Sequence, residues 1–98
     1  MKIIAKQTYV KVERSIHYNE QISKEIEYEI HLGENKILTP VNEFSLKQVL
    51  DMSYRSVSNL YGCLYLHTTS GLFAYFVKTD PQDFIKKFKN TKKDGGFS

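Results

Sequence analysis

LYGCLYLHTTSGLFAYFVKTDPQDFIKKFK, residues 60–89, decides the fold, because two apolar runs joined by a turn lead directly into a capped amphipathic segment. Cys63 to Thr68 and Leu72 to Val77 are rich in aromatic and β-branched residues, and Thr69-Ser70-Gly71 puts a glycine where a tight hairpin needs positive φ. The reading is a β-hairpin. Its second arm carries Leu72 and Phe76 on one face and Phe73, Tyr75 and Val77 on the other, which predicts a central strand covered on both sides. Thr79-Asp80-Pro81-Gln82-Asp83 then reads as a helix start, with a side-chain acceptor at the N-cap, proline at the first helical position and acidic charge in the first turn. Phe84, Ile85 and Phe88 recur at helical spacing while Lys86, Lys87 and Lys89 project to solvent, so the helix is expected to lay its Phe/Ile stripe on the sheet.

The upstream chain reads as the sheet that this unit completes. Ile26, Tyr28, Ile30 and Leu32 alternate with Glu25, Glu27, Glu29 and His31, the clearest period-two pattern present and the mark of a strand with one buried and one wet face. Val10 and Val12 against Lys11 and Glu13 give an earlier strand between Lys2 and Ile16, with Ile3-Ile4-Ala5 either a separate short strand or a lead-in. Ser15 to Ser23 is polar and is read as the first loop. Gly33-Glu34-Asn35-Lys36 is a turn signal, and Ile37-Leu38-Thr39 a short strand that Pro40 confines to an edge or an end. Phe44 to Arg55 reads as a turn followed by a strand, with a short helix around Leu46 to Leu50 as the alternative; Ser56 to Asn59 is a polar loop. Asn90 to Ser98 is rich in lysine and glycine with nothing to bury. The expectation is one domain over residues 1–90 and a flexible tail over 91–98. The fold class is mainly β (α+β), a two-sheet sandwich or split barrel of about seven antiparallel strands capped by a C-terminal helix, since a lone sheet would leave apolar faces and open edges.

Ninety-eight residues, 41% hydrophobic and with thirteen Phe and Tyr side chains, suffice for one core and leave no room for a second lobe. No apolar run approaches the roughly eighteen residues of a membrane span, and Met1 to Lys6 is too short for the core of a signal peptide. With a lone Cys63, the chain reads as cytoplasmic. A net charge of +3 is too small to imply nucleic acid, but its distribution is uneven. Glu20 to Glu34 holds five glutamates against Lys24, whereas Lys78 to Lys93 holds six lysines against Asp80 and Asp83.

Phe44-Ser45-Leu46, Val49, Asp51 and Ser53-Tyr54-Arg55, then Leu64-Tyr65-Leu66-His67-Thr68, Gly71, Phe73 and Tyr75, then Val77-Lys78-Thr79-Asp80-Pro81 and Phe84-Ile85 form a pattern that resembles small bacterial pleckstrin-homology-like domains of low-GC Gram-positive bacteria. The likeness covers about the last half of the chain and consists of core and capping residues. It implies seven strands capped by a C-terminal helix, and a role in protein interaction, self-assembly or membrane association. The basic first hairpin of lipid-binding relatives is missing: Arg14 to Lys24 offers Arg14, His17 and Lys24 beside Glu13 and Glu20.

Catalytic chemistry finds no foothold. His17, His31 and His67 lie on separate segments without metal-ligand spacing, and Cys63 has no CxxC partner. Cys63 and His67, four apart on one strand, are separated by about 13 Å and cannot form a thiolate–imidazole pair; Cys63 reads as a small core hydrophobe. Gly33, Gly62 and Gly71 are isolated turn glycines and Gly95-Gly96 lies in the tail, so no phosphate-cradling loop is read, and no cofactor or metal is expected. Asp51 and Arg55 flank Ser53-Tyr54 and could form either a small polar site near Tyr61-Gly62 or a strand-end ion pair. The leading expectation is a non-catalytic module that binds an unknown protein or itself through sheet edges and loop aromatics, with Tyr54, Arg55 and Tyr61 as candidate surface residues. A second is peripheral association with an anionic membrane surface through Lys86, Lys87, Lys89, Lys92 and Lys93. Single-stranded nucleic acid is disfavoured, because basic residues are not interleaved with aromatics on the strands.

Overall fold

Seven antiparallel strands form one open sheet, closed by a single C-terminal helix, in the computed structural model, which describes residues 2–95. The strands are β1 (Ile3–His17), β2 (Glu20–Gly33), β3 (Lys36–Leu38), β4 (Glu43–Ser45), β5 (Val49–Ser56), β6 (Gly62–Thr68) and β7 (Gly71–Val77), and the helix is α1 (Gln82–Gly95). Their order in the sheet is β4-β3-β2-β1-β7-β6-β5. The two-sheet expectation corresponds to a single sheet with a thin seam, for among the described residues β1 and β7 share only the Val10–Phe76 pairing, whereas β6 and β7 pair continuously from Gly62–Val77 to Thr68–Gly71. The core lies on one face. Ile30, Leu32, Ile37, Val49, Leu64 and Leu66 are fully buried there.

The helix begins as its sequence dictates. Asp80 Oδ1 accepts the Gln82 N–H at 3.0 Å, and the Pro81 carbonyl accepts the Ile85 N–H at 2.9 Å. Phe84, Ile85 and Phe88 are all buried in the core, and the helix packs against β1 and β5. It runs past Asn90, where the sequence reading ended it. Thr91 Oγ1 donates to the Lys87 carbonyl at 2.7 Å, and Lys92 Nζ donates to the Val49 carbonyl, so residues 91–95 are helical rather than a flexible tail. The rest of the expected tail lies outside the described residues.

The first loop is corrected more sharply. Ser15 to His17 and Glu20 to Ser23 belong to strands, and only Tyr18 and Asn19 turn the chain, with φ of 49° and 67°. Both angles are left-handed, as a two-residue type I′ hairpin requires, and asparagine tolerates them well. The segment looks like loop in sequence because nothing buries it: every described side chain from Lys11 to Glu25 is exposed. Beyond the body, β1 and β2 therefore continue as a two-stranded arm, and the molecule measures 56 × 26 × 24 Å.

Smaller differences have local causes. Phe44 belongs to the short strand β4, while the chain turns over Leu46 to Gln48 and enters β5 as the leading reading has it, without the alternative helix. The Gln48 N–H reaches the Ser45 carbonyl at 2.9 Å, and Gln48 Oε1 accepts the Ser45 N–H at 2.9 Å. β7 is central as predicted, yet it is covered on one side only, leaving Leu72 59% and Phe76 52% exposed. Cys63 is buried, but it faces away from the main core, in register with Phe76 and Arg55.

Candidate interaction surface

The arm is built by a continuous register, from Tyr9–Tyr28 near the body to His17–Glu20 at the turn. Directly opposed residues share a face, so Val12 and Ile16 lie on the outer face with Phe76, while Ile22 and Ile26 continue the face that becomes core at Tyr28 and Ile30. Val12, Ile16 and Ile22 are 50%, 81% and 45% exposed. An isolated two-stranded ribbon is marginal in water, so the arm depends on what fixes its base.

That fixture is a latch of three side chains brought from distant parts of the chain. Lys78 Nζ donates to Glu25 Oε1 at 2.8 Å, and the Tyr61 hydroxyl donates to Glu25 Oε2. Lys78 also stands 6.0 Å from the centre of the Tyr61 ring. The two hydrogen bonds, Lys78 first and Tyr61 second, hold the Glu25 carboxyl below its ordinary pKa. Bonding to Glu25 in turn raises the Lys78 ammonium and the Tyr61 phenol above theirs. The Ser56 to Tyr61 loop is thereby tied to β2, with Val57 and Ser58 N–H groups both reaching the Tyr61 carbonyl.

The sheet edges differ in how they are covered. β5 ends the sheet on one side, and Lys92 occupies its Val49 carbonyl. On the other side β3 is only three residues long and pairs with β2 only at His31 and Leu32. An open notch lined by Glu27, Glu29, His31, Leu38, Thr39 and Pro40 marks where β3 stops. Among the described residues no strand pairs with this edge of β2 between Glu20 and Ile30.

The residues singled out from sequence are dispersed. Tyr61 joins the latch. Tyr54 faces the core side, half-buried, with its ring against Gly62. Arg55 is exposed on the outer face opposite Cys63. Of the five lysines, Lys87 pairs with Asp83 at 3.2 Å, Lys89 lies 3.9 Å from Asp51, and Lys92 holds Val49, which leaves Lys86 and Lys93 exposed on the same helix. Asp51 thus pairs with the helix rather than with Arg55. The sequence reading placed Ser53 between Asp51 and Arg55 but missed its partner: Ser53 Oγ stands 2.8 Å from His67 Nε2 across the β5–β6 pair. That spacing suits a nucleophile and base, but the pair sits on an open strand face, with the Asp51 carboxylate turned to Lys89. It acts as a cross-strand hydrogen bond. Among the described residues no three His, Cys, Asp or Glu side chains gather as metal ligands, and no helix is long and apolar enough to cross a membrane.

No protein-family model matches this chain, and comparison with curated proteins and with solved structures finds no significant match.

Proposed function

We propose that this chain is a non-catalytic interaction module whose binding element is the β1–β2 arm, and that its partner is a protein. One observation carries the reading: a hairpin with both faces exposed, bearing Val12, Ile16 and Ile22, is anchored at its base by the Glu25, Tyr61 and Lys78 latch. A rigid base beneath an apolar, solvent-exposed ribbon serves strand-mediated recognition, in which backbone groups supply affinity and alternate side chains supply specificity. Seven antiparallel strands closed by a C-terminal helix also support the pleckstrin-homology-like resemblance read from the sequence. Association with an anionic membrane surface ranks second, because Lys87, Lys89 and Lys92 are engaged inside the molecule.

The test is a photo-crosslinking residue placed at Ile16, compared with one at Leu60, which is exposed in the loop at the base of the arm. The expected result is a discrete protein adduct, of this chain or another, from position 16 alone. Absence of an adduct at 16, combined with flotation on anionic vesicles that Lys86→Glu and Lys93→Glu abolish, would replace this reading with the membrane one.

A further inference from the structure

Resting on the arm as the binding element, we infer that its partner is a second copy of this chain, joined edge to edge along β2 about a two-fold axis at Ile22. A two-residue turn makes His17–Glu20 the closing hydrogen-bonded pair of the hairpin, so successive pairs alternate from there. The backbone groups of Glu20, Ile22 and Lys24 therefore point toward β1, and those of Gln21 and Ser23 point out along the open edge. The same alternation sends Val10 and His31 outward, and these are the residues that pair with β7 and β3.

An antiparallel meeting of two identical β2 edges must obey both this alternation and the charges. With the axis at Ile22, each Gln21 exchanges backbone hydrogen bonds with Ser23 of the second copy, and Ile22 opposes its own counterpart. Each Glu20 then opposes Lys24 of the second copy, twice over. Lys24 already faces Glu13 within its own hairpin, so a row of alternating charge crosses the joint. Neighbouring registers do worse. An axis at Lys24 or Glu25 sets like charges opposite each other, and one at Ile26 sets Glu25 against Glu27. Axes at Gln21 or Ser23 create no ion pair. On the other edge of the arm, axes at Glu13 or Arg14 oppose like charges, one at Val12 collides with the β7 strand that occupies Val10, and one at Ser15 sets Glu13 opposite His17 and forms no carboxylate–ammonium pair. Such a contact is isologous and closes at two copies, giving a four-stranded arm in the order β1-β2-β2-β1. The contact joins only the Glu20 to Lys24 stretch of each arm, so the dimer should be concentration-dependent.

Sedimentation equilibrium of the intact chain from about 10 μM to about 1 mM at low salt should show monomer and dimer in exchange. Lys24→Glu and Glu20→Lys, each opposing like charges twice, should each weaken self-association at least about tenfold, while an equimolar mixture of the two restores a dimer. Mild oxidation of Ile22→Cys should yield a disulfide dimer, whereas Ser23→Cys, which opposes Gln21, should not; Cys63 is buried and does not compete. A wild-type monomer throughout the range, a dimer indifferent to both charge variants, or mixing without rescue overturns the inference. If the chain is monomeric while the adduct at Ile16 contains a different protein, the second copy is excluded and the arm remains the binding element.

Discussion

Replacing Gly62 by alanine should destabilise the protein, although alanine is ordinarily the better residue in a strand. Gly62 opens β6 and packs beneath Tyr54, so a Cβ there would stand 2.6 Å from Tyr54 Cζ and closer still to Cε1 and the hydroxyl. Gly62 is not among the residues with left-handed φ, so the constraint is space rather than backbone conformation. The tyrosine ring must swing away, surrendering its contact with the core cluster. Overpacking of this kind costs about 1–3 kcal/mol, against a gain of about 0.5–1 kcal/mol from removing a strand glycine. The net loss should be about 1–2 kcal/mol, visible in urea unfolding as a lower midpoint at unchanged slope. In a Tyr54→Ala background the space is vacant and the same change should stabilise by about 0.5 kcal/mol. The double-mutant cycle therefore predicts a coupling of about 2 kcal/mol, within the range for residues in contact. If Gly62→Ala is neutral or stabilising in the wild-type chain, or has the same effect with and without Tyr54, the reasoning fails.

Phe88→Ala, which empties a site 1% exposed at the centre of the helix stripe, should cost about 3–5 kcal/mol in chemical unfolding; a loss below about 1 kcal/mol would mean that the helix is not part of the core. Asn19→Val puts a β-branched residue at a φ of 67° and should cost about 1–2 kcal/mol, with amide exchange accelerated along the arm before the body; uniform acceleration would contradict a separate arm. The latch should work across a pH window. Glu25 is depressed, so its contribution is present above the ordinary glutamate pKa and lost as pH falls through the lowered one; Lys78 and Tyr61 are raised, so theirs is lost as pH rises through their raised values. Stability measured against pH should therefore slope less at both ends in Glu25→Gln, and profiles parallel to wild type would rule out the latch.

The legible parts of the fold were those in which burial and periodicity coincide. Ile26 to Leu32 alternates because one face is core, and Phe84, Ile85 and Phe88 repeat because one helical face is core, so pattern and structure agree there. The arm was illegible for the converse reason. Arg14, Ser15, Gln21 and Ser23 carry no hydrophobic periodicity, since strands exposed on both faces are selected by pairing and turn geometry alone. Asn19 was the one local signal. Glu25, Tyr61 and Lys78 could not be associated beforehand, because only the meeting of β2 with the β5–β6 loop and the end of β7 brings them together. The helix was read too short because lysine and glycine suggested fraying, whereas Lys92 finds a carbonyl acceptor at the end of the sheet.

The single Val10–Phe76 pairing between β1 and β7 also fixes an order of assembly. The β1–β2 and β6–β7 hairpins close across short turns and can form within microseconds, each independent of the other. Joining them requires two residues far apart in the chain to meet, which incurs loop-closure entropy before any packing rewards it. The seam should thus form in the rate-limiting step. Val10→Ala would then slow folding as well as destabilise, so that much of its effect appears in the folding limb rather than only as faster unfolding.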